Sequence, residues 1–244
     1  IRLSLVGSEM CIRDSAIITD VASVKGNVVE AVEKLPADFS SRFVPGHPIA
    51  GSEKSGYLAS NAGLFAKRNI ILTPLANNSS DSLRLVSAMW RALDANMLAM
   101  SVKHHDEVLA ATSHLPHLLA YSIVDVLAKQ EKSGDIFRYA AGGFADFSRL
   151  ASSDARMWSD IFVANRTASA EVLGAMIVEL QALKTALESS PDERLSMNLR
   201  TLFAHAKETR EAFINTHFKP TANNAMNEKS VVFVAGQSGT SVPQ

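Results

Sequence analysis

Three stretches carry side chains whose types and spacing suit chemistry. The first is Gly46-His47-Pro48-Ile49-Ala50-Gly51-Ser52-Glu53-Lys54-Ser55-Gly56, which sets a histidine between a strand end and a glycine-rich loop. Ligands of open α/β sheets bind at that carboxyl edge, and an imidazole titrating near neutrality can accept a proton there. The bland alternative is a surface turn with an incidental histidine. The second is Ser113-His114-Leu115-Pro116-His117 on helix-compatible sequence. Its two histidines, three apart, share a helix face. Two imidazoles can start a zinc site, but no acidic third ligand sits at a recognised spacing. A single histidine acting as proton acceptor is the stronger reading, against a pair of satisfied helix-end histidines. The third is Gly142-Gly143-Phe144-Ala145-Asp146-Phe147-Ser148-Arg149. Its glycines permit a tight approach, and Arg149 can hold a carboxylate in a bidentate fork; a helix connection with a solvated arginine is the common alternative. His104-His105-Asp106-Glu107 reads as a solvated helix start, and Trp90 and Trp158 as core or interface residues.

The elements that must position these groups fall into two regimes. Ala16–Asp20, Arg42–Val44, Asn69–Pro74 and Asn96–Ser101 are short apolar runs ended by turn residues, as buried parallel strands are. Val24–Lys34 and Ser82–Leu93 lie between them with helical spacing. Strand and helix alternating predict an α/β layer with a parallel sheet. After about residue 102 the spacing is helical throughout. Residues 102–130 form one long helix-compatible segment, in which Pro116 should kink the chain or open a new helix capped by Ser113. Ser153 is placed to cap a second helix reaching about Leu187, and Pro191 to open a third whose apolar face carries Leu195, Leu199, Leu202, Ala206 and Phe213. Helices this long are explained by packing against one another and against a second subunit.

Composition narrows the function classes. The 244 residues carry 24 Lys+Arg against 25 Asp+Glu, a net charge of −1, which argues against binding nucleic acid or a membrane surface by bulk charge. Glycine and proline make up 20 residues, about 8%, where roughly 12% is average; with 47% hydrophobic residues this describes a helix-rich globular chain. One cysteine, Cys11, excludes an internal disulfide framework and a cysteine-cluster zinc site. No apolar run reaches the ~18–20 residues that span a bilayer, so the expected location is cytoplasmic.

The three stretches, in this order and preceded by Asp20-Val21-Ala22-Ser23-Val24-Lys25-Gly26, resemble the prephenate dehydrogenase family, which includes the arogenate and cyclohexadienyl dehydrogenases of tyrosine biosynthesis. The resemblance covers about residues 16–190. It implies a Rossmann-like dinucleotide-binding α/β domain followed by an all-α dimerisation domain. It also implies oxidative decarboxylation of prephenate or arogenate with hydride transfer to NAD or NADP, in a homodimer. Carried over residue by residue, it makes His47 the catalytic hydrogen-bond acceptor and base. Ser23 becomes a contact to the same substrate hydroxyl, and Asp20 and Ser23 the cofactor-side residues. Arg149 becomes the grip on a substrate carboxylate. His117 and Ser113 line the substrate pocket, Glu53 and Asp146 shape the site and its gating, and Trp158 lies near the subunit interface. No metal is implied.

The family pattern also opens on a strand and a G-x-G-x-x-G loop that cradles the pyrophosphate, and Ile1–Ser15 contain no such loop. Those residues read as a non-native segment fused to a truncated gene. The expected organisation is therefore a non-native segment at 1–15, the C-terminal half of the dinucleotide-binding domain at 16–101, the helical dimerisation and substrate domain at 102–217, and a tail or linker at 218–244. Within that tail, Val231–Pro243 suggests the start of a join to an enolpyruvylshikimate-phosphate synthase domain. A chain so arranged is expected to dimerise, to bind NAD(P) weakly and to turn over little. The rival readings are an inactive helical dimerisation module and a histidine-based metal hydrolase.

Overall fold

The computed structural model describes residues 16–51, 56, 58, 60–217 and 232–233. The chain divides into two compact units, residues 1–170 with 231–244, and residues 171–230.

In the first unit, β1 (Ile18–Thr19) pairs in parallel with β2 (Phe43–Val44). Between them run α1 (Gly26–Glu33), which buries Val29 and Val32, and a short α2 (Ala37–Arg42). A second sheet follows in the order β3 (Gly46–Pro48), β4 (Asn69–Leu72), β5 (Asn96–Ala99), β6 (Val232–Phe233). β4 and β5 are parallel, with Ile70 opposite Met97 and Leu72 opposite Ala99. The run Ile70-Ile71-Leu72 is buried, as a parallel strand covered on both faces requires. α3 (Ser80–Ala92) supplies Val86 and Trp90 to the core formed by Val44, Ile70, Leu72, Ala95 and Met97, and Phe65 meets Trp90 edge-on.

Two expectations change here. The residues after Pro45 form a strand in place of a loop: β3 runs antiparallel to β4, with His47 opposite Ile71. Pro48, which has no N–H to donate, is tolerated because β3 ends the sheet order. Within the expected tail, Val232 and Phe233 pair in parallel with Leu98 and Ala99, so this pair belongs to the sheet. The rest of the tail and Ile1–Ser15 lie outside the described residues.

The helical segment after residue 101 is continuous across Pro116. α4 (Val102–Leu109) passes through a π turn (Ala110–His114) into α5 (Leu115–Ala128). Pro116 has no N–H for the Thr112 carbonyl, and the widened turn absorbs that gap. Ser113 thus sits inside the π turn and caps nothing. Two short helices, α6 (Ser133–Arg138) and α7 (Gly142–Ser148), and a 3₁₀ turn at Arg149–Ser152 lead to α8 (Ala155–Ala164). The N-cap is Asp154, whose carboxylate accepts from the Met157 N–H at 2.7 Å; Ser153, expected in that role, stands one residue outside. The long helix expected from there is broken at Asn165, and α9 (Arg166–Ser189) begins anew. In the second unit, the rest of α9 is joined through Pro191 to α10 (Asp192–His217).

Candidate active site

The turn after β1 is built around a buried ammonium and a half-buried carboxylate. Asp20 accepts from the backbone N–H of Ala22 and of Gly46, each at 3.0 Å, and from the Lys25 ammonium. Lys25 is fully buried and also donates to the Gly46 carbonyl at 2.6 Å. Burial pulls its pKa down, opposed by the hydrogen bond and charge of Asp20. The pair ties the end of β1 to the start of β3 and so fixes the strand that carries His47. The carboxylate of Asp20, a residue expected on the cofactor side, is engaged on this turn.

His47 lies on β3, 8% exposed. Its Nδ1 is 2.8 Å from Nε2 of His105, and Nδ1 of His105 is 2.8 Å from Oδ1 of Asp106. Asp106 closes onto the N-terminus of α1, accepting from the Lys25 N–H at 2.9 Å and the Gly26 N–H at 2.8 Å. The residues read as a solvated helix start are thus the reverse of solvated: His105 is fully buried. Glu107 stays exposed and His104 half-buried, because the α4 face carrying His105 turns onto β3 and α1. Burial, then the neighbouring His105 and the Lys25 ammonium, push His47 down to about 3, so it is neutral at physiological pH. Burial acts against Asp106 in the other direction, but the His105 bond and the two backbone N–H groups hold its carboxyl below the usual range.

A cleft of about 650 Å³ opens at His47. Ser113, His117, Arg149 and Trp158 line it, together with Arg68 and the Pro48–Gly51 segment. The π turn sorts the two histidines of the second stretch. His114 points inward, 1% exposed, its Nδ1 accepting from the Asn165 side chain at 3.2 Å. Burial lowers its pKa to about 4. His117 turns to the cleft: its Nδ1–H donates to the Ser113 carbonyl at 2.8 Å, and its ring stacks on Trp158 with centroids 3.7 Å apart. Burial lowers its pKa too, against the pull of that backbone bond. Ser23 lines a neighbouring cleft of about 440 Å³ with Val24, Asn27, Asp154 and Arg156, and Met157 lines both.

Of the residues singled out from sequence, His47, Ser113, His117 and Arg149 therefore meet in one cleft, while Ser23 stands in the adjoining one. Asp146 is exposed on α7 and lines neither. Glu53 lies outside the described residues. Sequence reasoning missed Lys25, Arg68, His105, Asp106 and Asn165. Only Lys25 carried a signal, its place in the Asp20–Gly26 stretch. Among the described residues no cluster of three His, Cys, Asp or Glu could hold a metal ion, and no single helix is long and apolar enough to cross a membrane.

Comparison with known proteins adds independent information. Residues 5–99 match the nucleotide-binding domain of prephenate dehydrogenase and residues 101–201 its dimerisation domain. The chain is 36% identical over 204 residues to the cyclohexadienyl dehydrogenase of Zymomonas mobilis, covering 82% of this chain and 66% of that protein. It is 35% identical over 202 residues to the prephenate dehydrogenase of Bacillus subtilis, covering 82% of this chain and 53% of that protein. The chain thus spans between about half and two-thirds of these relatives. The crystal structure of prephenate dehydrogenase from Aquifex aeolicus, in complex with hydroxyphenyl propionate and NAD+, superposes with a TM-score of 0.71 at 36% identity, over 81% of this chain and 68% of that one. A nucleotide-binding Rossmann-like layer followed by a helical dimerisation domain, with matching sequence through both, leaves one conclusion: the chain belongs to the prephenate dehydrogenase family.

Proposed function

We propose that this protein carries out the oxidative decarboxylation of prephenate or arogenate to 4-hydroxyphenylpyruvate or tyrosine, with NAD or NADP as hydride acceptor, in cytoplasmic tyrosine biosynthesis. The observation that carries this reading is the convergence of a neutral, buried-sided histidine with two guanidinium groups in one cleft. A helical dimerisation module alone would have no need of that cleft.

The residues present suit the cofactor. Ser23 of the turn after β1, Asn27 of α1 and Arg156 of α8 offer a hydroxyl, an amide and a guanidinium around one cleft, donors and acceptors fit for a carboxamide, a ribose and a phosphate, beside the carboxylates of Asp154 and Asp160. When bound, the oxidised nicotinamide supplies the hydride acceptor. Ser23 would hold it, and Asp20 would act one step back by fixing the turn that presents Ser23. On the substrate side, His47 accepts the proton of the ring hydroxyl as the hydride leaves the same carbon. Being neutral well below pH 7, it has a lone pair available throughout the physiological range. Arg149 holds a carboxylate at the cleft wall, and Arg68 gives the same cleft a second cation, which matches a substrate with two carboxylates. His117, backed by Trp158, and Ser113 shape the wall against the ring. Loss of the ring carboxylate as carbon dioxide lets the ring become aromatic and supplies the driving force.

Residues 16–101 would then serve the nucleotide and residues 102–217 the substrate and a homodimer. The dimer reading is supported by apolar side chains exposed along the second unit, among them Val178, Leu187, Met197 and Phe203. The test is nucleotide reduction measured with prephenate and arogenate against NAD+ and NADP+. His47→Asn is expected to lower turnover ~10²–10⁴-fold. Equal rates in the two proteins would remove His47 from the chemistry, and a monomeric mass by light scattering would remove the dimer.

A further inference from the structure

The reaction asks something of His47 that burial alone does not provide. A neutral imidazole has one N–H and one lone pair, and only the tautomer with its lone pair on the cleft side can accept a proton from a substrate. Nδ1 of His47 is taken by His105, so Nε2 is the nitrogen left to the cleft. Which nitrogen carries the hydrogen is decided elsewhere, by the polarity of a chain of hydrogen bonds that starts on the backbone.

The backbone N–H groups of Lys25 and Gly26 can only donate. Both donate to Asp106, one to each oxygen, so that carboxylate is an acceptor on both sides. It lies at the N-terminus of α1, where the peptide dipoles favour the ionised form. An acceptor at Oδ1 requires the hydrogen of His105 on Nδ1. In an imidazole that carries one hydrogen this puts the lone pair on Nε2, which faces Nδ1 of His47. That nitrogen must donate, and the lone pair of His47 falls on Nε2. His105 is sealed from water, so no solvent molecule competes for either of its nitrogens. Asn165 braces the same turn by donating to the Asp106 carbonyl at 2.8 Å.

We propose that His105 and Asp106, anchored on the first N–H groups of α1, are positioning residues that hold His47 in the Nδ1–H tautomer with its Nε2 lone pair turned to the cleft. This rests on the reading of His47 as the proton acceptor and names what makes it competent. It is the arrangement by which an orienting carboxylate sets an imidazole, extended by one ring.

The tautomer can be read directly, without turnover, from long-range ¹H–¹⁵N spectra of the imidazole rings in the uniformly labelled full chain. His47→Asn assigns the signals. The expected wild-type pattern is an unprotonated Nε2 and a protonated Nδ1 on His47. His105→Leu removes the acceptor and should give His47 ¹⁵N shifts averaged between tautomers. It should also lower kcat about 10–100-fold, the usual effect of losing a group that orients an imidazole, with KM changed less. His105→Gln, whose side-chain carbonyl can accept from Nδ1, should return the wild-type His47 pattern and most of the lost kcat. A His47 protonated on Nε2 in the wild type overturns the proposal. So does a doubly protonated His105, or a His105→Leu protein with the wild-type His47 pattern. Should His105→Leu not fold, the wild-type spectrum decides alone. Failure of the underlying function looks different: His47→Asn would turn over like wild type whatever the tautomer.

Discussion

Gly26 is the sharpest place to test how this site is held together. It is the first residue of α1, and its backbone is not left-handed, so alanine is conformationally acceptable there. Helix propensity alone predicts that Gly26→Ala stabilises the protein by up to about 1 kcal/mol. The structure predicts the opposite sign. A Cβ at Gly26 would lie 2.8 Å from Oδ2 of Asp106. That carboxylate has nowhere cheap to go: Oδ1 is held by the Lys25 N–H and by His105, and Oδ2 by the Gly26 N–H itself. Moving it weakens hydrogen bonds to a charged group worth about 1.5–3 kcal/mol each, and leaving it in place overpacks the contact at about 1–3 kcal/mol. Set against the propensity gain, the net destabilisation should be about 0.5–2 kcal/mol. Urea unfolding reads this as a lower midpoint at unchanged m-value. A double-mutant cycle with Asp106→Ala isolates the contact: in that background Gly26→Ala should be neutral or stabilising, giving a coupling of about 1–3 kcal/mol. Stabilisation of the wild type by Gly26→Ala, or an equal cost in both backgrounds, would refute the reasoning.

Acid should destabilise the fold well above the carboxylate range. His47 and His114 have folded pKa values of about 3 and about 4 against 6.5 when unfolded, so the unfolded chain takes up protons first and stability is lost as pH falls below 6.5. Each should cost about 2 kcal/mol by pH 5, and a urea midpoint unchanged between pH 8 and pH 5 would contradict it. Trp158→Ala removes a 7% exposed ring and the platform under His117; it should destabilise by about 3–5 kcal/mol, measurable by thermal melting, whereas Trp158→Phe should cost far less. Asn165→Ala leaves the buried His114 Nδ1 without its donor and takes from the Asp106 carbonyl one of two, the Ala110 N–H remaining, and should cost about 1–3 kcal/mol in urea unfolding. Arg149→Lys keeps the charge but loses the planar fork, so KM for the substrate should rise by about tenfold with kcat less affected; an unchanged KM would take Arg149 off the substrate.

How far the sequence could be read depended on whether the signal was local. The alternation of β1, α1, β4, α3 and β5 was legible because each element carries its own apolar period, and Ile70-Ile71-Leu72 announces a strand covered on both faces by composition alone. The change to long helices after residue 101 was equally plain. His47 and His117 stood out because a polar side chain beside glycine or proline in an apolar context is locally conspicuous, and Arg149 because it closes a stretch opened by two glycines. What local pattern could not show was where helices stay whole or break. The π turn lets α4 and α5 pass through Pro116, and Asn165 ends α8 while its side chain reaches Asp106 and His114. The break at Asn165 goes with contacts to other elements.

His105-Asp106 shows the division most clearly. As sequence, a histidine and an aspartate in the first turns of a helix read as a solvated face. Only the packing of α4 against β3 and α1 buries the ring, and only the α1 N-terminus, some eighty residues back in the chain, gives the carboxylate its two donors. The amino-acid sequence by itself determined the α/β-then-helical order and four polar side chains of the cleft, His47, Ser113, His117 and Arg149, since periodicity and residue type are local properties. The tertiary structure alone decided which histidine faces the cleft, which is buried, and which supports another, since a ring's burial and its hydrogen-bond partner belong to the neighbours that folding brings to it.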